Sequence, residues 1–135
     1  MPQIQATGRR VLVVDDDPGV RDLVTTRLEL VGCFTAIARD GHEAIREIGA
    51  FHPEAMVLDL SMPHMDGFEV LAWMTEKSLT AKIRTLVLTA RNNPDDVSRA
   101  IGLGARDYLA KPFRDEQLLL RVARLLVRSR EALNR

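Results

Sequence analysis

Val11-Leu12-Val13-Val14-Asp15-Asp16-Asp17-Pro18 is the stretch that decides the fold. Four consecutive apolar residues without alternation describe a strand covered on both faces, as in a parallel sheet held between two helix layers. The acids end that strand. Asp17-Pro18 then supplies a helix N-cap and a proline at the first helical position. Val20, Leu23, Val24, Leu28 and Val31 follow on one helical face, and Gly32 closes the helix. Strand, acidic turn and helix together predict a βαβ unit.

Outward from this stretch the unit repeats. Phe34 to Ala38 forms a second strand, Asp40-Gly41 a turn, and Ala44, Ile45 and Ile48 a short second helix ending near Gly49. Met56 to Leu58 gives the third strand and delivers Asp59. The segment Ser61-Met62-Pro63-His64-Met65-Asp66-Gly67 is a loop by its Pro and Gly content, and Phe68, Leu71, Ala72 and Trp73 begin a third helix. Ile83 to Leu88 is the fourth strand, leading into Thr89-Ala90. Asn92-Asn93-Pro94-Asp95 caps a weakly apolar fourth helix with Val97, Ala100, Ile101 and Leu103, which stops around Gly102 to Gly104. Asp107 to Ala110 is the fifth strand, Lys111-Pro112 follows it, and a long helix runs from about Asp115 to the end.

Five strands and five helices fill a chain of 135 residues, one domain's worth. Hydrophobic residues at 46% and charged residues at 28% fit an ordinary globular protein. Lys plus Arg and Asp plus Glu are equal at 19 each, so no net field draws the chain to nucleic acid or to an anionic membrane. Cys33, the one cysteine, excludes an internal disulfide or a self-contained zinc site and suits a reducing compartment, with packing as its role. The polar first residues carry neither a signal peptide nor a spanning helix. The expected location is cytoplasmic.

The carboxyl ends of parallel strands open onto one crevice where ligands bind. Asp15, Asp16, Asp59, Thr89 and Lys111 all stand at such ends. Three crowded carboxylates disfavour one another's ionisation, so a hard cation with oxygen ligands is their natural occupant. The set reads as a magnesium-assisted aspartate nucleophile. An isolated aspartate at a strand end is more often a cap, and Asp17, directly before Pro18, needs only that role. His42, His52 and His64 lie at loops or helix starts, none at a strand end, and are not assigned to the chemistry.

Asp15-Asp16, Asp59 with Met62-Pro63 and Asp66-Gly67, Leu86-Val87-Leu88-Thr89-Ala90 and Lys111-Pro112, in this order, resemble the receiver domain of two-component response regulators over nearly the whole chain. The resemblance implies an α/β (βα)5 fold, a doubly wound five-stranded parallel sheet of flavodoxin-like strand order 2-1-3-4-5. It implies that Asp59 is the phosphoacceptor, that Asp16 binds Mg2+ directly and Asp15 through water, and that Asp59 and the Ser61 backbone carbonyl complete the ligand set. Lys111 would pair with the phosphoryl group, the Lys111-Pro112 bond admitting the cis form. Thr89 would be the switch hydroxyl, with small Ala90 leaving room, and Tyr108 the aromatic that swings inward. The phosphoryl donor would be a histidine kinase or a histidine phosphotransfer protein. The surface of the fourth helix, fifth strand and fifth helix would change in response. Such a chain is a signalling receiver that assists its own phosphorylation and dephosphorylation, rather than a turnover enzyme.

Residues 1–8 are expected to form a flexible tail, 9–128 the receiver, and 129–135 an extension of the last helix. On that helix Leu118, Leu119, Val122, Leu125, Leu126 and Leu133 make a core stripe, while Leu120, Ala123 and Val127 fall on the far side. A helix apolar on two faces suggests an output domain or a homodimer through it. Arg121, Arg124 and Arg128 line the flank between, read as a solvated face rather than a nucleic-acid contact. Asp107 and Arg121 match one ion pair of the dimer face of receivers in winged-helix transcription regulators, from which Arg106, Val97, Leu103 and Gln117 depart. Two rival functions remain at this point. A haloacid-dehalogenase-type phosphatase would carry a second aspartate two residues after the nucleophile, where this chain has Ser61. A phosphorylation-independent interaction module would not need the acidic, threonine and lysine set.

Overall fold

The computed structural model describes residues 7–133, with side chains described as far as Val127. The elements run β1 (Arg10–Val14), α1 (Pro18–Leu30), β2 (Phe34–Ala38), α2 (Gly41–Phe51), β3 (Ala55–Leu58), α3 (Gly67–Glu76), β4 (Arg84–Thr89), α4 (Pro94–Gly102), β5 (Asp107–Ala110) and α5 (Asp115–Leu133). All strand pairs are parallel and the sheet order is β2-β1-β3-β4-β5, as the resemblance implied. The chain steps from β1 outward to β2 and then crosses back to β3. β1 therefore sits at the switch point, with a crevice at its carboxyl end.

The unbroken apolar run of β1 is explained by two cores. Val11 and Val13 pack with Val24 and Leu28 of α1 and Leu118, Val122 and Leu126 of α5. Leu12 and Val14 face Ala44 and Ile48 of α2 and Phe68, Leu71 and Met74 of α3. Each such side chain, fully buried, contributes about 1.5–3 kcal/mol of transfer free energy, so a polar residue at any of the four positions is excluded.

Asp or Asn opens each of the first four helices. Asp17 accepts from the Gly19 N–H at 2.8 Å, Asp40 from Glu43 at 2.9 Å and Asn93 from Asp96 at 2.9 Å. Asp66 and Glu69 form a reciprocal capping box. These bonds satisfy helix donors that have no intrahelical partner.

Several expectations are corrected. α2 runs past Gly49 to Phe51, and the left-handed turn that ends it is taken by His52 at φ 53°. Leu23 is 39% exposed because α1 packs mainly against β1, β2 and α5 and this side chain lies on a flank they leave uncovered. Ala123, placed on the far side of α5, is buried at 5% exposure. α5 touches β3, β4, β5 and α1, a footprint wide enough to cover a small residue at the edge of the stripe. Val127 is half-buried, so of that second stripe only Leu120 is exposed. Arg121 is no solvated flank residue: it donates to Asp107 Oδ1 at 2.8 Å and to the Tyr108 carbonyl at 3.0 Å, so that pair closes within the chain. Residues 1–6 of the expected tail, and the side chains of Arg128, Leu133 and the rest of the expected extension, lie outside the described residues.

Candidate functional site

β1 and β3 are neighbours with Val14 opposite Leu58, so the next residue of each chain, Asp15 and Asp59, leaves the sheet side by side. The Asp59 N–H donates to the Val14 carbonyl at 2.9 Å and fixes that spacing. One carboxylate oxygen from each of Asp15, Asp16 and Asp59 lies within 4.8 Å of the others. Asp15 and Asp59 are buried while Asp16 is exposed. β4 adjoins β3 and places Thr89, fully buried, at the same end. β5 adjoins β4, and the Lys111 N–H continues the ladder to the Thr89 carbonyl at 3.0 Å. The Lys111–Pro112 peptide is cis. The Lys111 ammonium stands 2.7 Å from Asp15 Oδ2 and 3.6 Å from Asp59 Oδ2. All five strand-end residues thus converge.

Backbone donors complete the framework. The Asp17 N–H reaches Asp15 Oδ1 at 3.0 Å, and the Ser61 N–H approaches Asp59 Oδ1 at 3.4 Å. The Thr89 hydroxyl accepts from the Arg91 N–H at 3.1 Å. Tyr108 pairs with Val87 in register, which puts it on the α4 side of the sheet, half-buried against that core. Its hydroxyl is buried with no hydrogen-bond partner among the described residues, and burial raises its pKa.

Burial first and the Asp15 carboxylate second push the Asp59 pKa above the usual carboxylate range, against the pull of Lys111, the Thr89 hydroxyl and the Ser61 N–H. Burial opposes the Lys111 charge, yet Asp15 and Asp59 outweigh it and hold the ammonium above its ordinary value. Three carboxylates face one ammonium, so negative charge is left uncompensated. A hard divalent cation with oxygen ligands answers that excess, and the donor set of Asp15, Asp16 and Asp59 fits it.

Other contributors escaped the sequence reading. A Cβ at Gly67 would strike the Asp59 carbonyl and lie 2.8 Å from Leu60 Cα, while the Gly67 N–H donates to the Leu60 carbonyl at 3.0 Å. A Cβ at Gly41 would lie 2.5 Å from Met65 Cγ, and the Gly41 N–H holds the Met65 carbonyl at 2.9 Å. The two glycines fold the loop after Asp59 back on itself and against α2. Gly41 reads in the sequence only as turn punctuation, and Gly67 only as a member of the Asp66-Gly67 motif, with no contact to Asp59 implied. Phe68 carries the guanidinium of Arg99 at 4.0 Å from its ring centroid and that of Arg91 at 5.3 Å. Nothing in the spacing of these three residues announces the contact. His42, His52 and His64 are exposed, as expected.

A family profile described as the response regulator receiver domain matches residues 11–123. The response regulator MprA of Mycobacterium ulcerans is 41% identical over 121 residues, which cover 90% of this chain and 51% of that protein. The DNA-binding dual master transcriptional regulator RpaA of a Synechocystis strain is 39% identical over 120 residues, 89% of this chain and 50% of that one. The chain therefore spans about half the length of the curated relatives it matches. Among solved structures, the signal receiver domain of a putative Luxo repressor protein from Vibrio parahaemolyticus superposes with a TM-score of 0.87 at 28% identity, covering 93% of this chain and 95% of that one. The chemotaxis protein CheY4 of Vibrio cholerae gives 0.82 at 30% identity, covering 88% and 99%. With its acidic crevice, its 2-1-3-4-5 sheet and a profile match over most of its length, the chain belongs to the response regulator receiver domain family, the phosphorylation-dependent switches of two-component signalling.

Proposed function

We propose that Asp59 accepts a phosphoryl group from a phosphohistidine of a histidine kinase or a histidine phosphotransfer protein, with Mg2+ bound by Asp16 directly, by Asp15 through water, and by Asp59 and the Ser61 carbonyl. The observation that carries the reading is the buried Asp59 carboxylate set among Asp15, Asp16 and the Lys111 ammonium at 3.6 Å. An Asp59 oxygen forms the new P–O bond in line with the breaking P–N bond, and the departing imidazole nitrogen keeps the electron pair and takes a proton. Mg2+, when bound, offsets the carboxylate charge and the charge spread over the equatorial phosphoryl oxygens. Lys111 pairs with the phosphoryl group from the opposite side. Thr89 turns its hydroxyl from the Arg91 N–H to a phosphoryl oxygen, and Tyr108 follows inward. The surface of α4, β5 and α5 reads out the change.

On this reading the chain supplies the groups for its own phosphorylation and, with water in place of the imidazole, its dephosphorylation. Ser61 stands where a phosphatase would hold its acid–base aspartate, so the acyl phosphate outlives the transfer. Residues 9–128 would be the receiver, and the exposed side of α5 the face offered to an output domain or a homodimer. The lone Cys33 supports a reducing, cytoplasmic setting, and the balanced charge supports a chain that binds neither nucleic acid nor membrane directly. Among the described residues no helix is long and apolar enough to cross a membrane.

The test is labelling by acetyl phosphate with and without Mg2+, on this chain and on Asp59→Asn. Stable, Mg2+-dependent labelling that disappears in the variant supports the switch. Rapid turnover with no stable label would make the chain a phosphatase, and neither labelling nor turnover would leave it a phosphorylation-independent module.

A further inference from the structure

Arg21 lies in the first turn of α1, and its side chain turns back over the helix start, the direction in which helical Cβ atoms tilt. Its Nη1 donates to the backbone carbonyl of Asp15 at 2.8 Å. Asp17 and Asp22 are close in sequence, yet Arg21 makes no ion pair with any carboxylate among the described residues. Its Nε is buried without a hydrogen-bond partner among them. A solvated surface arginine would extend into water and satisfy its donors there. This one is half-buried, leaves one donor unused and commits another to a single main-chain oxygen.

That oxygen belongs to the peptide joining Asp15 to Asp16. The Asp15 carboxylate is independently held, by the Asp17 N–H at 3.0 Å and by Lys111 at 2.7 Å. The Asp16 side chain has no hydrogen bond or ion pair of its own among the described residues and is exposed. Nothing but its backbone aims it. We propose that Arg21 is a positioning residue for the divalent-ion site: by anchoring the Asp15 carbonyl it orients the Asp15–Asp16 peptide, and so directs the unsupported Asp16 carboxylate toward its two partners. The inference rests on the assignment of Asp15, Asp16 and Asp59 to Mg2+.

The experiment is calorimetric titration of Mg2+ into the chain and into Arg21→Gln and Arg21→Lys, paired with thermal melts in EDTA. Loss of an outer-sphere partner typically costs about 10–100-fold in metal affinity. Arg21→Gln should show a loss of that size while its EDTA melt stays close to the parent's, and Arg21→Lys, which keeps a donor for the Asp15 carbonyl, should recover part of it. A purely structural role would lower the EDTA melt and leave the affinity of the folded fraction unchanged. Mg2+ binding by Arg21→Gln within about twofold of the parent overturns the proposal. Should that variant not fold, Arg21→Met, which keeps the packing of the stem, is judged by the same criterion. A parent that does not bind Mg2+ at all overturns the site assignment and this inference together, whereas equal binding by parent and variant overturns this inference alone.

Discussion

Lys111 is shared unequally between two carboxylates, 2.7 Å from Asp15 and 3.6 Å from Asp59, and a compact ammonium can swing between them. A guanidinium keeps the charge but spreads it over a planar fork, so Lys111→Arg should retain pairing with Asp15 and lose the phosphoryl contact. A charge-assisted hydrogen bond of that kind contributes about 1.5–3 kcal/mol, so most of the phosphorylation-dependent shift in the amide spectrum of α4, β5 and α5 should vanish in the variant. Cys33 offers a pH test far from the crevice. Burial pushes its thiol up to about 11 from an ordinary 9.0, outweighing the opposing pull of Arg9. Between those values the native chain holds a proton that the unfolded chain has lost, so stability falls as pH rises through the window. The loss, about 1–3 kcal/mol across it, should be read as a parent melting temperature that declines against that of Cys33→Ala from pH 9 to 11.

Among the elements, the loop between β3 and α3 is packed without slack, whereas α4 is held by few buried contacts. Gly67 backs directly onto the Asp59 carbonyl, so any added Cβ must displace main chain rather than a side-chain tip. Gly67→Ala should therefore cost about 1–3 kcal/mol, the usual range for overpacking, and should weaken Asp59 labelling as well, because the displaced atoms belong to the proposed acceptor residue. Urea unfolding and acetyl phosphate labelling measure the two effects. α4 buries only Ala100 and is held in addition by Arg99 over the Phe68 ring at 4.0 Å. Removing that cation–π contact in Arg99→Ala should cost about 0.5–2 kcal/mol. Hydrogen exchange should rise in α4 before it rises in α5, whose Leu118, Val122 and Leu126 are fully buried.

For the whole molecule, the crevice stores uncompensated charge in the folded state that an unfolded chain disperses. A ligand that binds only the folded form stabilises it by mass action, about 2.7 kcal/mol at a hundredfold excess over its dissociation constant. Mg2+ should accordingly raise the thermal midpoint, EDTA should reverse the rise, and Asp16→Ala should nearly abolish it. Far from the crevice, Arg9 binds Glu54 at 2.9 Å and the Leu126 carbonyl at 3.3 Å, tying the start of the sheet to the last helix. By itself the sequence determined the number, type and order of elements, because the double-sided burial of β1 and the Asx caps are local patterns, and it determined the strand-end residues, because parallel register carries every strand's last residue to one edge. Only the tertiary structure decided how those residues are held. Ala123 is covered and Leu23 is not because burial depends on which element lies above a flank. The roles of Gly41, Gly67, Arg21 and Arg99 depend on atoms brought near from elsewhere in the chain, a proximity that hydrophobic period and turn chemistry do not encode.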